Sequence, residues 1–220
     1  MIYTILAIFR KDLAIELRTR YALNTLLAFT GAALLTILFA LQADTLDPAP
    51  RSGLVWIVIL FAAMAGMSRT FVAESEQKTW PLLRLYGGAT EVYTGKLLYN
   101  FLFLLTLNLF TFLLYSIMMG SVIVHHSLLA GTIFLGALGI ASITTLTSAI
   151  ISRADRRGPL FSVLSIPLLV PLLLILTRTT RIAWTGEEDP TTLEDLTALV
   201  AYCGATITAG VLLFDYIWDE

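Results

Sequence analysis

Apolar residues run in long blocks along this chain, and charged residues punctuate them. Six stretches are free of Asp, Glu, Lys and Arg: Tyr21–Ala43, Leu54–Ser68, Leu97–Met119, Leu128–Ile151, Pro159–Thr177 and Leu196–Phe214. A bilayer crossing takes ~20 predominantly apolar residues when the backbone is helical. The second stretch reaches that length by running on through Thr70-Phe71-Val72-Ala73 while Arg69 snorkels to the surface, and the sixth runs on past Asp215. The predicted spans are therefore 21–43, 54–73, 97–119, 128–151, 159–177 and 196–217. Lipid offers backbone N–H and C=O groups no partner, and only helices satisfy their own groups one segment at a time. The expected fold is an all-α polytopic membrane protein with six transmembrane helices over 21–218.

Ahead of the first span, Ile2, Ile5, Leu6, Phe9, Leu13 and Leu17 recur at helical spacing, with Arg10, Lys11, Asp12, Glu16 and Arg18 between them. This predicts an amphipathic interfacial helix over 1–20. Two roles fit it, an anchor in the headgroups or a dock for a cytoplasmic partner. The first apolar run is too long for a signal-peptide core and has no small-residue cleavage site behind it, so it is expected to be a retained span.

Charge adds orientation. Only 14% of the 220 residues are charged, 57% are hydrophobic, and the mean hydropathy is +0.82, a composition foreign to soluble domains. The basic residues divide unevenly between the two sets of loops. One side holds Arg10, Lys11, Arg18, Arg20, Arg69, Lys78, Arg84, Lys96, Arg153, Arg156 and Arg157; the other holds Arg51, Arg178 and Arg181 beside Asp44, Asp47, Glu187, Glu188, Asp189, Glu194 and Asp195. The positive-inside rule places the basic side, and with it both termini, in the cytoplasm. The net charge of −2 averages two opposite faces, and no nucleic-acid partner is suggested. The lone Cys203 excludes an internal disulfide and reads as a small packing residue.

The longest cytoplasmic connection, 74–96, mixes charge with Trp80, Leu82, Leu83, Leu85 and Tyr86 and breaks at Gly87-Gly88. Thr79 or Lys78 is placed to open a short helix with Pro81 in its first turn. A short amphipathic helix at the end of a membrane stem suits the grip of a cytoplasmic partner, and it equally suits a rest on the headgroups. The sequence Gly95-Lys96-Leu97 lacks the spacing and the Ser/Thr of a phosphate-binding loop. The six charge-free runs hold none of the buried ionisable side chains that serve an ion-coupled carrier. Asn24, Asn100, Asn108, Thr144, Thr145, Thr147 and Ser148 supply neutral polarity suited to helix–helix hydrogen bonds. His125-His126 point in different directions on a helix and fit an interfacial polar pair better than a metal or haem ligand. Pro167 and Pro171, four apart in the fifth span, fit either a mobile kink or a static bend. No catalytic, cofactor-binding or metal-binding constellation is present, and no catalysis is expected in this chain.

Two segments resemble a known family. Arg156-Arg157-Gly158-Pro159-Leu160-Phe161-Ser162-Val163-Leu164-Ser165-Ile166-Pro167-Leu168-Leu169-Val170-Pro171 resembles the loop and fifth span of CcmB, the haem exporter protein B family of bacterial cytochrome c maturation. Phe71-x-x-Glu74-x-Glu76-x-x-Thr79-Trp80-x-x-Leu83-x-Leu85, continuing to Tyr93-x-Gly95-Lys96, is similar to that family's first cytoplasmic loop. There are departures: Lys78 stands where glycine is common, Trp80 where leucine is frequent, and Gly87-Gly88 in place of a proline-containing turn.

The resemblance implies an ABC-2-like permease subunit in the bacterial inner membrane. It would work with a separate ATPase (A-type), a haem-handling C-type membrane subunit, the haem chaperone (E-type) and a second copy of itself. ATP would be bound by the partner, haem would be handled by the complex, and no cofactor is expected in this subunit itself. Glu74, Glu76, Thr79, Trp80, Leu83 and Leu85 are the expected ATPase-coupling surface. Arg153, Arg156 and Arg157 would set topology or touch the ATPase. Trp56, Trp80, Trp184 and Trp218 are isolated in sequence and do not form the tryptophan-rich signature with which a C subunit handles haem. That favours a mechanical role, ATP-driven release of the haem-loaded chaperone, over simple haem passage. The alternatives are an ABC-2 permease for a lipid or drug, a membrane scaffold, and, least favoured, a secondary carrier.

Overall fold

The computed structural model describes residues 1–41, 47–67, 70–119, 123–152, 157–187 and 189–219. They form α1 (Ile2–Thr19), α2 (Tyr21–Leu41), α3 (Pro48–Met67), α4 (Val72–Glu76), α5 (Trp80–Tyr86), α6 (Ala89–Met119), α7 (His126–Ile151), α8 (Arg157–Thr185) and α9 (Thr192–Asp219). No strand occurs among these residues. Six segments are long and apolar enough to cross a membrane, built on α2, α3, α6, α7, α8 and α9, as the sequence predicts. Both chain termini lie at one end of the bundle, termed here the terminal end; the opposite end is the far end.

α7 is the centre of the bundle. Its last three turns, from Gly139 to Ala149, are buried on every side, which its small residues allow. A methyl group on Gly136 would sit 2.4 Å from the Trp56 ring of α3, and one on Gly139 would sit 2.8 Å from Leu172 of α8. Close backbone approach of this kind is how membrane helices gain dispersion contact without a hydrophobic effect to drive them together. Cross-helix hydrogen bonds add to it: Asn100 Nδ2 donates to Thr145 Oγ1 at 2.7 Å, and Thr147 pairs with Ser165 at 2.8 Å. Ser148 Oγ accepts from the Phe71 backbone at 3.0 Å. The neutral polarity in the spans thus serves packing. α2 is peripheral and buries Leu26, Thr30 and Leu34, one stripe at spacing four.

Several helix ends differ from the sequence expectation, and α3 already starts at Pro48 instead of 54. α6 starts at Ala89 instead of 97, and α8 continues past 177 to Thr185, so Arg178 and Arg181 are helical. The physical reason at the far end is charge pairing: Arg178 meets Asp189 at 3.0 Å and Asp195 at 3.3 Å, and Arg181 meets Glu187 at 3.6 Å. Accepting from Thr191 and then from Arg178 holds the Asp189 carboxyl down to about 2. α8 ends where Gly186 adopts φ +71° and returns its N–H to Ile182 O at 2.9 Å, a left-handed cap that favours glycine.

Gly136→Leu forces the Trp56 indole out of its seat. We expect it to cost about 2 kcal/mol of stability, read as an earlier midpoint in detergent-titration unfolding of the purified protein.

Candidate coupling site

The segment predicted as the coupling loop, 74–96, lies at the terminal end. Its last part, 89–96, is the first two turns of α6; the rest is α4, a turn over 77–79, α5 and the Gly87-Gly88 break. Thr79 is the N-cap of α5 and Pro81 falls in its first turn, where the missing N–H has no helical partner to lose. The chain turns between the two short helices through Lys78 at φ +55°. Left-handed backbone costs a residue with a side chain about 1 kcal/mol, which explains why glycine would suit this position.

Four charges close a ring beneath that turn. Lys11 Nζ of α1 lies 2.6 Å from Glu74 Oε1 of α4, and Glu74 Oε1 lies 2.9 Å from Lys96 Nζ of α6. Lys96 Nζ lies 3.1 Å from Asp12 Oδ2 of α1, and Asp12 Oδ1 returns to Lys11 at 3.2 Å. Lys96 is 2% exposed, and its ammonium also donates to Thr70 O at 3.1 Å and sits 5.3 Å from the Phe71 ring centroid. Thr79 Oγ1 donates to the second oxygen of Glu74. Burial opposes the charge on Lys11, and Asp12 and Glu74 more than offset it, so its ammonium is held above its usual range.

α1 is seated by contact as well as charge. A Cβ at Gly95 would lie 2.9 Å from Ile8 Cβ and 3.0 Å from Ile5 O, so α1 lies directly on the α6 backbone. Arg20, at φ +51°, ends α1, and Glu16 Oε1 accepts from Leu23 N at 2.8 Å to cap α2. The predicted amphipathic helix therefore packs on α6 through part of its charged face and does not simply lie in the headgroups.

A block of aromatic rings forms the second attachment. Phe214 of α9 lies 4.9 Å from Phe71, 6.3 Å from Trp80, 5.4 Å from Tyr93 and 5.7 Å from Trp218, centroid to centroid. Arg84 of α5 donates to Trp218 O and holds its guanidinium 5.7 Å from the centroid of that indole. The tryptophans isolated in sequence are thus grouped in space. Trp80 and Trp218 are 5.6 Å apart, while at the far end Trp56 and Trp184 both edge onto Phe112, at 5.5 and 6.4 Å.

The predicted coupling residues divide between two faces. Glu74 and Leu83 are buried and fasten α4 and α5 to the bundle. Thr79 and Trp80 are half-buried at the joint, and Glu76 and Leu85 are exposed. Leu85 is 82% exposed, with Tyr86 at 72% and Leu82 at 55% beside it. Between this helix and α1 runs a groove of about 470 Å³ lined by Tyr3, Thr4, Ala7, Ile8, Lys11, Leu83 and Tyr86.

The other sequence candidates lie elsewhere. Arg153 and Arg156 fall outside the described residues, and Arg157 opens α8. Pro167 and Pro171 sit inside α8 with their rings exposed, and the helix continues through them. Tyr202 of α9 donates to Leu168 O between them at 2.5 Å. His125 caps α7 and His126 begins it; the N–H groups of Val124 and His125 both reach Ala183 O, at 3.1 and 3.0 Å.

Sequence reasoning missed the ring and the aromatic block. The one local signal was the pair Gly95-Lys96, a residue with no side chain beside a cation at the mouth of a span. The family model described as CcmB protein matches residues 3–215, nearly the whole chain. No curated protein matches it.

Two outcomes are expected. Phe214→Ala removes the ring on which the other four aromatics converge and costs about 3 kcal/mol, measured by the same detergent-titration midpoint. Lys78→Gly relieves the left-handed turn and raises stability by about 1 kcal/mol; a drop would show that the lysine side chain holds the turn.

Proposed function

The chain belongs to the CcmB family, and from that premise we propose that a separate ATPase drives it through α5. The chain is a multi-pass permease component of an ABC transporter for haem export and cytochrome c maturation, and is not itself catalytic. On our reading, nucleotide binds and is hydrolysed in an A-type partner at the terminal end. That end faces the cytoplasm of a bacterium across its inner membrane, as the crowding of Lys and Arg there supports.

One observation carries the reading. Leu82, Leu85 and Tyr86 stand out from a helix whose other face is bolted down by Leu83, Trp80 and Arg84. A helix that presents large apolar side chains outward and is fixed inward transmits a push to α6 and α9. Glu76 and Lys78, also exposed, would frame the partner's contact, with Arg157 nearby in sequence to the neighbouring connection. The displacement needs a driving free energy of only a few kcal/mol between two bundle packings.

What moves at the far end acts on haem held by other subunits. We place the C-type membrane subunit beside this chain and the E-type chaperone as the species released, with haem as cargo of the complex. A second copy of the chain completes the permease. Pro167 and Pro171 each remove one helical hydrogen bond from α8, which makes that helix the one that bends most cheaply as the bundle rocks.

Leu85→Asp tests the reading. The expected variant inserts normally, fails to retain the ATPase on purification, and gives cells whose c-type cytochromes no longer stain for covalent haem. Retained ATPase together with normal haem staining would remove α5 from the coupling path.

A further inference from the structure

The charge ring gives α1 a task that an anchor does not have. An interfacial helix that only anchors the chain turns its charged side chains to water and headgroups. Here the Asp12 side chain is 11% exposed and faces inward, between Lys96 and Lys11. Each ring member has two opposite neighbours in the ring, and the four come from three elements, α1, α4 and α6. Lys96 is buried, and buried charges are tolerated only when paired, so displacement of Glu74 leaves Lys96 to follow it or lose a partner, while Lys11 ties the same carboxylate to α1. Beside the ring is a cavity of about 220 Å³ bordered by Asp12, Glu16, Glu74, Lys96 and Tyr99, which leaves these side chains room to shift.

We propose that Lys11 and Asp12 are positioning residues of the coupling machinery, and that the closed ring carries movement of α4 to α1 and α6 together. This rests on the permease reading above. α1 then works as an arm linked to the coupling segment, and the pairing is a four-membered unit in which no single ion pair suffices.

Charge rearrangement separates a ring from a lone pair. Lys96→Met breaks the ring and is expected to lower covalent haem staining about tenfold, the effect of ~1.4 kcal/mol of lost coupling, with the membrane-inserted protein retained. The double exchange Glu74→Lys with Lys96→Glu keeps that one pair. It also sets Lys11 against a new ammonium and Asp12 against a new carboxylate, so it is expected to stay defective. Adding Lys11→Glu and Asp12→Lys restores the alternation all round and is expected to recover staining.

Asp12→Asn opens the ring at α1 alone. With Glu74 and Lys96 intact, trypsin is expected to cut faster at Arg10 and Arg18 in inside-out vesicles, and staining is expected to fall. Wild-type staining in the double exchange, or unchanged proteolysis and staining in Asp12→Asn, would overturn the proposal. A deletion strain that still stains normally would instead overturn the permease reading, and the proteolysis would then report on the ring by itself.

Discussion

A lysine ammonium buried at the mouth of a membrane helix is the constraint around which the terminal end is built. Moving such a charge out of water costs several kcal/mol even after relaxation, and the cost is met only by opposite charge at contact distance with the remaining protons satisfied. Lys96 meets that condition through Asp12, Glu74 and the Thr70 carbonyl. Each partner sits on a different stretch of chain, so satisfying one ammonium fixes α1, the end of the second crossing and α4 relative to α6. The left-handed turn at Lys78 and the Thr79 hydroxyl then place α5 where its own inward face meets α9.

Within the membrane a different rule holds. α7 has no charge to satisfy, and what it contributes is thinness: Gly136 and Gly139 let Trp56 and Leu172 approach a backbone. Hydroxyls that bond back to their own helix carbonyls, as Thr144 and Thr145 do to Ile140 and Ala141, are satisfied within the buried helix without a charged partner. The resulting core is tightly keyed, and the parts least held by protein are the outer faces of α2, α8 and α9.

Lipid made most of this fold legible. A bilayer leaves the backbone one solution per crossing, so six apolar runs were enough to give six helices and their alternation. The same rule hid the ends. Lys96, Arg178 and Arg181 read as the edges of spans because charge is normally excluded from lipid; each in fact continues a helix, because its partners lie elsewhere in the sequence at Asp12 and Glu74 or at Asp189, Asp195 and Glu187. Periodicity reports how one element sorts its own faces and carries no information about distant pairs. Glu74 looked like surface for that reason, and Trp80 and Trp218 looked unrelated although their rings meet. α5 was readable because its cues are local: a Thr cap, a first-turn Pro and a Gly-Gly stop.

The two attachments of the coupling segment differ in kind, and the difference sets how it moves. An aromatic block held by dispersion between stacked and tilted rings loses little when rings slide by a fraction of an ångström, because its centroid distances of 4.9 to 6.5 Å lie within the broad range that aromatic pairs accept. An ion ring with contacts of 2.6 to 3.2 Å has no such tolerance, since charge-assisted hydrogen bonds weaken steeply with length and angle. On the proposed coupling the segment therefore turns on its aromatic side, at α5, and is latched on its charged side, at α4. The ring carries two positive and two negative members, so a shift of the whole ring moves no net charge toward the membrane. On the proposed coupling, a latch of that composition would hold discrete positions, as a helix driven stepwise by a partner's ATP cycle needs.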